Sequence, residues 1–360
     1  MLHAVIMAGG SGTRFWPLSR QARPKQCLAL GTPEALIVET SKRLTPLIDF
    51  ENQYIVAGRK LETPFQNLFK EWKSNQFIWE PCARNTAPCI GLASLLLAAR
   101  DPEAILVVLP SDHHIAEPEK FRAAIEAARQ RASMGELVTL GIRPTRPETG
   151  YGYIELNNTL DADNHHLAVK QFVEKPNRQL AQSYLDGGKH LWNSGMFIFQ
   201  AKRMLCDLSK YQPALYAGLM TLQPHIGQST FDAQLEHTFP RLPSISIDYG
   251  VLEPCSNDAD GEPISVIPSS FGWNDVGSWE ALSDYNDADE EGNVKSGRVL
   301  AIDTTRSIIQ SHGPAISIIG LDSLVVVSTD DAILVCPRDA VQRVKEIPAL
   351  ADKLNWGDLC

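Results

Sequence analysis

Seven cysteines (Cys27, Cys82, Cys89, Cys206, Cys255, Cys336, Cys360) include no C-x-x-C pair, and their odd number and scatter exclude a zinc ribbon and speak against a disulfide framework. No apolar run approaches the about 18 residues of a membrane span, and no charged segment precedes an apolar one at the start. We therefore expect neither a span nor a secretory leader, but a soluble protein of a reducing, cytoplasmic compartment. Basic charge is also short: 33 Lys and Arg face 43 Asp and Glu, a formal net charge of −10. That balance excludes indiscriminate binding to nucleic acid or to anionic membranes. The acidic excess has one gap. No Asp or Glu stands before Glu34, where a proportional share would be about four, and the gap holds Arg14, Arg20, Arg23 and Lys25. Charges beyond about 8 Å are largely screened at physiological salt, so local cations decide what binds there. The gap reads as a site for a polyanion.

A short apolar run at 4–7 reads as a buried strand and opens into Gly9, Gly10 and Gly12, within GGSGTRFWPLS (9–19) and ahead of RPKQ (23–26). Glycines let backbone N–H groups crowd against a ligand. Two common phosphate loops are excluded. A Walker A loop would end in Gly-Lys-Ser/Thr, where Thr13-Arg14 stands, and a dinucleotide fingerprint would need Gly at position 15, where Phe15 stands. An ordinary strand-to-helix turn with solvated basic residues stays open on the glycines alone.

At 44% hydrophobic and 21% charged, 360 residues are ample for a large domain and a small one. Apolar runs at 3–8, 54–57, 77–79, 104–109 and 137–141 alternate with helical patterns at 35–44, 86–100 and 118–132. Such alternation predicts an α/β fold with a mostly parallel sheet, its ligands beyond the carboxyl ends of the strands. From 151 to about 285 the pattern turns α+β, with strands at 153–156, 168–174 and 192–199 and a helical stretch from 201. The acidic run DADEEGN (287–293) is loop-like. We expect a catalytic domain over 1–286, a linker at 287–293 and a small all-β, β-helix-like module over 294–360, closed by a helix near 338–346.

Several motifs carry chemistry. LPSDHHI (109–115) puts Asp112 past the end of a central strand, where a carboxylate can hold Mg²⁺ or form a turn or helix cap. His113 and His114 are adjacent, point to opposite sides if extended, and read as structural. GWNDVGSW (272–279) carries Asp275 in a possible turn. FVEKP (172–176) presents Glu174 and Lys175, the lysine otherwise a solvated edge charge. RPETGYGYIE (146–155) holds Gly150 and Gly152, where a ligand could approach the backbone. WNSGMF (192–197) offers Asn193 and SIDYGVLE (246–253) offers Asp248. EPCARNTAP (80–88) contains Glu80, Arg84, Asn85 and Thr86, of which the last two also suit a helix cap.

The order and wording of these motifs resemble the sugar-nucleotide pyrophosphorylases, and RNTAP with SIDYGVLE resembles the mannose-1-phosphate guanylyltransferases among them. The resemblance spans 1 to about 285. It implies a Rossmann-like, glycosyltransferase-A-like nucleotidyltransferase domain that joins GTP to α-D-mannose 1-phosphate, giving GDP-mannose and pyrophosphate. It gives Gly9, Gly10, Gly12, Thr13, Arg14 and Lys25 to the triphosphate, and Glu80, Asn85, Thr86 and Asp112 to the nucleotide. Gly150, Gly152, Glu174, Lys175, Asn193 and Asp248 fall to the sugar phosphate, and Mg²⁺ to Asp112 and Asp275. Catalysis is implied for Arg14, Lys25, Asp112, Lys175 and Asp275, and a homodimer is implied through the β-rich module. Because the sequence stops at Cys360, with no room for the isomerase domain of some relatives, no isomerase activity is expected. The same fold with UTP or dTTP and glucose 1-phosphate, or a silent sugar-nucleotide-binding regulatory subunit, stays open at this stage.

Overall fold

The run LHAVIM forms β1 (Leu2–Met7) in a computed structural model that describes residues 1–10, 12–157 and 166–359; Ser11, residues 158–165 and Cys360 lie outside them. Successive side chains of β1 serve two cores. Val5 packs on one face with Ile90, Leu92, Met204 and Leu208, while Ala4 and Ile6 pack on the other with Ile37, Leu44, Phe121 and Ile125. A strand covered on both faces has no reason to alternate with polar residues, which explains its unbroken apolar run. β2 (Gln53–Gly58), β3 (Phe77–Glu80) and β4 (Ile105–Pro110) join it in parallel, in the order β3-β2-β1-β4. The helices Leu36–Leu44 and Pro118–Ala132 cover one face, and Thr86–Arg100 and Ala201–Tyr211 the other.

The chain continues through β5 (His114–Ile115), β6 (Leu137–Ile142), β7 (Tyr153–Leu156), β8 (Leu167–Val173), β9 (His190–Gln200), β10 (Ile264–Ser269) and β11 (Trp273–Asn274). The main sheet has nine strands in the order β3-β2-β1-β4-β9-β6-β10-β8-β7. It is mixed, where the strand–helix alternation led us to expect a mostly parallel one. β9 runs antiparallel to β4, β6 and β7, and β8 antiparallel to β7 and β10. An apolar strand buried on both faces does not carry its direction in its composition; its neighbours supply it.

Past a turn at 287–293, where Asp289 Oδ1 accepts from the Glu291 and Asn293 amides, the chain winds through β12 (Val294–Ser296), β13 (Val299–Ile302), β14 (Ile308–Ser311), β15 (Ile316–Ile319), β16 (Leu324–Ser328) and β17 (Ile333–Pro337). Val294, Ile308 and Val325 stack in parallel register, as do Val299 and Ile316, so each turn of chain buries its aliphatic residues on the next. A 3₁₀ segment Arg338–Glu346 and the helix Ile347–Lys353 close the module.

This module shares its core with the glycine-loop segment. Phe15, Trp16, Leu18, Val276 and Trp279 pack in one cluster with Ile308, Val325, Val341 and Val344. Trp279 is wholly buried, lies edge-on to Phe15 at 5.1 Å, and donates its indole N–H to the Trp16 carbonyl at 3.1 Å. Arg20 pairs with Asp331, and Arg338 with Glu280. Emptying the Trp279 site should therefore loosen both halves: Trp279→Ala is expected to cost about 3–5 kcal/mol in urea unfolding, and a loss under about 1 kcal/mol would contradict the shared core.

Candidate active site

Beyond β1 the loop turns through Gly10 and Gly12, both at positive φ. A Cβ on Gly12 would stand 2.3 Å from Lys25 Cβ, so only glycine lets the loop lie against that lysine. The turn Thr13–Phe15 then sends Phe15 into the core and leaves Arg14 exposed. Lys25 is nearly buried, its side chain 8% exposed, and its ammonium has two partners. Nζ donates to Asp112 Oδ2 at 2.8 Å and to the Asp275 carbonyl at 2.7 Å.

The two aspartates meet because a small sheet joins their loops. β5, which begins two residues after Asp112, pairs antiparallel with β11, which ends one residue before Asp275. Val276, buried and β-branched, is held at φ 49°, a costly conformation next to the Asp275 carbonyl that Lys25 bonds. Asp112, Asp275, Lys25, Arg14, Gly12 and Gly277 line one cavity of about 260 Å³. Burial works to raise the Asp112 pKa, but the Lys25 ammonium outweighs it and holds the carboxyl below the ordinary range. His113 faces the same cavity. Burial drives its pKa down to about 4, and Nδ1 of the neutral ring accepts from the Trp273 indole at 3.0 Å. His114 stacks on Tyr285.

A second cavity, of about 440 Å³, brings together Asn85, Thr86, Glu174, Lys175, Ser246, Asp248 and Tyr249. Lys175 sits at φ 44° with its ammonium 3.2 Å from Glu174 Oε2 and largely exposed. Asn193 is spent on positioning: its side-chain amide donates to Asp248 Oδ1 at 2.8 Å, and its backbone amide donates to the Gly152 carbonyl. A Cβ on Gly152 would stand 2.9 Å from Glu174 Oε1. Burial, then the nearby Glu174 charge, raises the Asp248 pKa. Asn85 caps the helix Thr86–Arg100 through the Thr86 amide, and Thr86 Oγ1 accepts from the Ile247 amide, so this loop is fastened to the Asp248 segment. Gly150 lies apart from Gly152, on a larger cavity of about 920 Å³ bordered by Arg14, Arg146, Asp275 and Arg338.

Glu80 closes β3 in a buried setting, with Oε1 lacking a hydrogen-bond partner among the described residues. Burial pushes its pKa from the ordinary 4.5 to about 7. Gly9 and Thr13 stand in the loop without side-chain crowding at Gly9. Two residues that the motifs did not single out also touch Asp275. The Tyr151 hydroxyl donates to Oδ1 at 2.7 Å, and Gly277 faces Oδ2. The only local hint was Tyr151's place between the two marked glycines.

Among the described residues no cluster of three His, Cys, Asp or Glu could hold a metal by itself. Two carboxylates on one cavity nevertheless suit Mg²⁺, which takes one or two carboxylates and completes its shell with water and phosphate oxygens. No helix among the described residues is long and apolar enough to cross a membrane.

Comparison with known proteins gives two family matches: Nucleotidyl transferase over residues 3–292, and MannoseP isomerase/GMP-like beta-helix domain over 297–349. The chain is 39% identical over 356 residues to the alginate biosynthesis protein AlgA of Pseudomonas aeruginosa, covering 95% of this chain and 70% of that protein. It is 39% identical over 364 residues to the mannose-1-phosphate guanylyltransferase of Escherichia coli, covering 96% and 72%. The crystal structure of mannose-1-phosphate geranyltransferase from Thermus thermophilus superposes with a TM-score of 0.86 at 34% identity, over 98% of this chain and 99% of that one. A UDP-glucose pyrophosphorylase complexed with UDP-glucose, at 16% identity and TM-score 0.51, shares the fold; the match covers 78% of this chain and 96% of that one.

The raised Glu80 pKa has a signed consequence. The folded chain holds this proton more tightly than the unfolded one, so Glu80 stabilises the fold below pH 4.5 and that contribution is lost as pH rises to about 7. The loss is worth at most roughly 3 kcal/mol. Urea unfolding across this window should fall less steeply with pH for Glu80→Gln than for the parent chain; parallel curves would refute it.

Proposed function

The chain belongs to the nucleotidyl transferase family, among the mannose-1-phosphate guanylyltransferases, and from that premise we propose how its residues carry GMP from GTP to α-D-mannose 1-phosphate. The observation that carries the reading is the meeting of Lys25 with Asp112 and the Asp275 carbonyl beside Arg14, at the foot of the glycine loop. Backbone N–H groups of Gly9, Gly10, Gly12 and Thr13 receive the triphosphate, and Arg14 and Lys25 draw charge onto its departing β,γ end. Glu80, with an unpartnered oxygen, suits the N1–H and N2–H₂ edge of guanine, and Arg84 its O6. Asn85 and Thr86, expected at the nucleotide, line the cavity of Glu174, Lys175 and Asp248 instead and so border the sugar. Lys175 holds the phosphate of the sugar; Glu174 and Asp248, aligned by Asn193, take its hydroxyls where Gly152 lets the ring approach, while Gly150 borders the separate, larger cavity.

An oxygen of mannose 1-phosphate forms a bond to the α-phosphorus of GTP. The bond from that phosphorus to the bridging oxygen breaks on the opposite side, and its electron pair leaves with pyrophosphate. The attacking phosphate is already ionised at neutral pH, so no general base is required. The rate comes from alignment and from neutralising charge. Asp112 and Asp275 would hold Mg²⁺, which when bound supplies further neutralisation between the two substrates.

Leu300, Ile302, Ile319 and Leu321 are exposed, and Leu300 and Ile302 of β13 share one face with Ile319 of β15. Solvent-facing aliphatic residues on an open two-stranded sheet suit a second copy of the chain, which gives a homodimer built through the β module. A cytoplasmic location belongs to this reading, since GTP and reduced thiols such as Cys27 and Cys206 coexist there.

The direct test is pyrophosphate release with mannose 1-phosphate and Mg²⁺, offered GTP, ATP, UTP or dTTP in turn. GTP alone should support it, and release with UTP or dTTP in its place would overturn the base assignment. Lys175→Ala should raise the KM for mannose 1-phosphate about tenfold or more with the KM for GTP little changed; equal weakening of both would remove Lys175 from the sugar phosphate. In light scattering the parent chain should have twice its monomer mass and Ile302→Asp the single mass, whereas a monomeric parent would refute the dimer.

A further inference from the structure

Asp275 is constrained on both carboxylate oxygens, and by different means. At Oδ1 the Tyr151 hydroxyl donates a 2.7 Å hydrogen bond. The phenol ring is itself fixed, edge-on to Trp192 at 5.3 Å and to Trp273 at 5.1 Å. Trp273 stands two residues before Asp275 and bonds His113, the neighbour of Asp112, through its indole N–H. The ring that holds one aspartate therefore packs on the ring that steadies the other. The second constraint is space, tightest at Oδ2: a Cβ on Gly277 would stand 3.0 Å from Oδ2 and 3.3 Å from Oδ1, and Gly277 lines the cavity shared with Arg14, Lys25 and Asp112.

A carboxylate on a short side chain can rotate to offer either oxygen or both. A donor on one oxygen removes that freedom, and an empty flank at the other keeps it approachable. Tyr151 also directly precedes Gly152, which lies against Glu174, and lines the larger cavity with Gly150, Arg14 and Asp275.

We propose that Tyr151 is a positioning residue, whose hydroxyl occupies Asp275 Oδ1 so that Oδ2 is presented to the divalent cation, with Gly277 keeping that oxygen clear. The inference rests on the reading of Asp275 as a metal ligand. Partners of metal-binding side chains typically govern affinity about 10–100-fold.

The test uses the full chain with GTP but no mannose 1-phosphate, and Mn²⁺ as the probe, its binding followed by water-proton relaxation. Tyr151→Phe should weaken Mn²⁺ binding roughly tenfold and, in a separate assay with mannose 1-phosphate added, raise the Mn²⁺ needed for half-maximal pyrophosphate release by a similar factor. The KM for GTP at saturating metal should be unchanged. A merely structural hydroxyl would lower the unfolding midpoint and leave Mn²⁺ affinity alone. Gly277→Ala should weaken Mn²⁺ binding from the other oxygen, and serves also if Tyr151→Phe does not fold. Parental Mn²⁺ affinity in both variants, with binding lost in Asp275→Asn, overturns the proposal and spares the metal reading. Parental affinity in Asp275→Asn overturns the metal reading and the proposal with it.

Discussion

The Lys25 ammonium is held by oxygens 87 and 250 residues further along the chain, and the site depends on that junction. An ammonium so little exposed is costly unless oxygens replace the lost water, and buried ion pairs add little net stability once that cost is counted. What the junction adds is geometry. It pins the glycine loop to the loop after β4 and to the loop after β11, two loops that the β5–β11 pairing already brings side by side. It also leaves Asp112 ionised in a half-buried place, where an unpaired carboxyl would be driven toward protonation.

The β module takes part in that geometry. Residues 13–18 leave the glycine loop and enter a core built with β14, β16 and the segment Arg338–Glu346. The loop is thus anchored on two sides, by the Lys25 junction toward the cavity and by Phe15, Trp16 and Trp279 toward the module. Val276 joins the two anchors, being packed in that core while its strained backbone faces the junction.

Much of this was legible in the sequence. The helix Thr86–Arg100 and the helix Pro118–Ala132 lie where the helical patterns predicted them, the first behind the Asn85 that suited a cap, and the basic gap before Glu34 led to the cavity that Arg14 and Lys25 line. What was hidden is long-range. The direction of β9 is set by neighbours far from it in sequence. Tyr151 has no local mark of a partner 124 residues away. Phe15, Trp16 and Leu18 sat inside a motif read for its phosphates, although three bulky apolar residues in a loop already called for a burial partner. Asn85 both caps its helix and lines a cavity, since an N-cap and a loop that faces a cavity make compatible demands on the backbone.

The span of the Lys25 and Trp279 contacts bears on synthesis. A ribosome delivers the glycine loop first, yet its floor needs Asp275, Trp279 and the valines at 341 and 344. Through most of translation the nascent chain carries Arg14 and Lys25 without the scaffold that aligns them. The contacts that seat Lys25 and Phe15 can close only after the segments around Asp275 and Val341 have emerged, so this cavity takes shape late in the birth of each molecule.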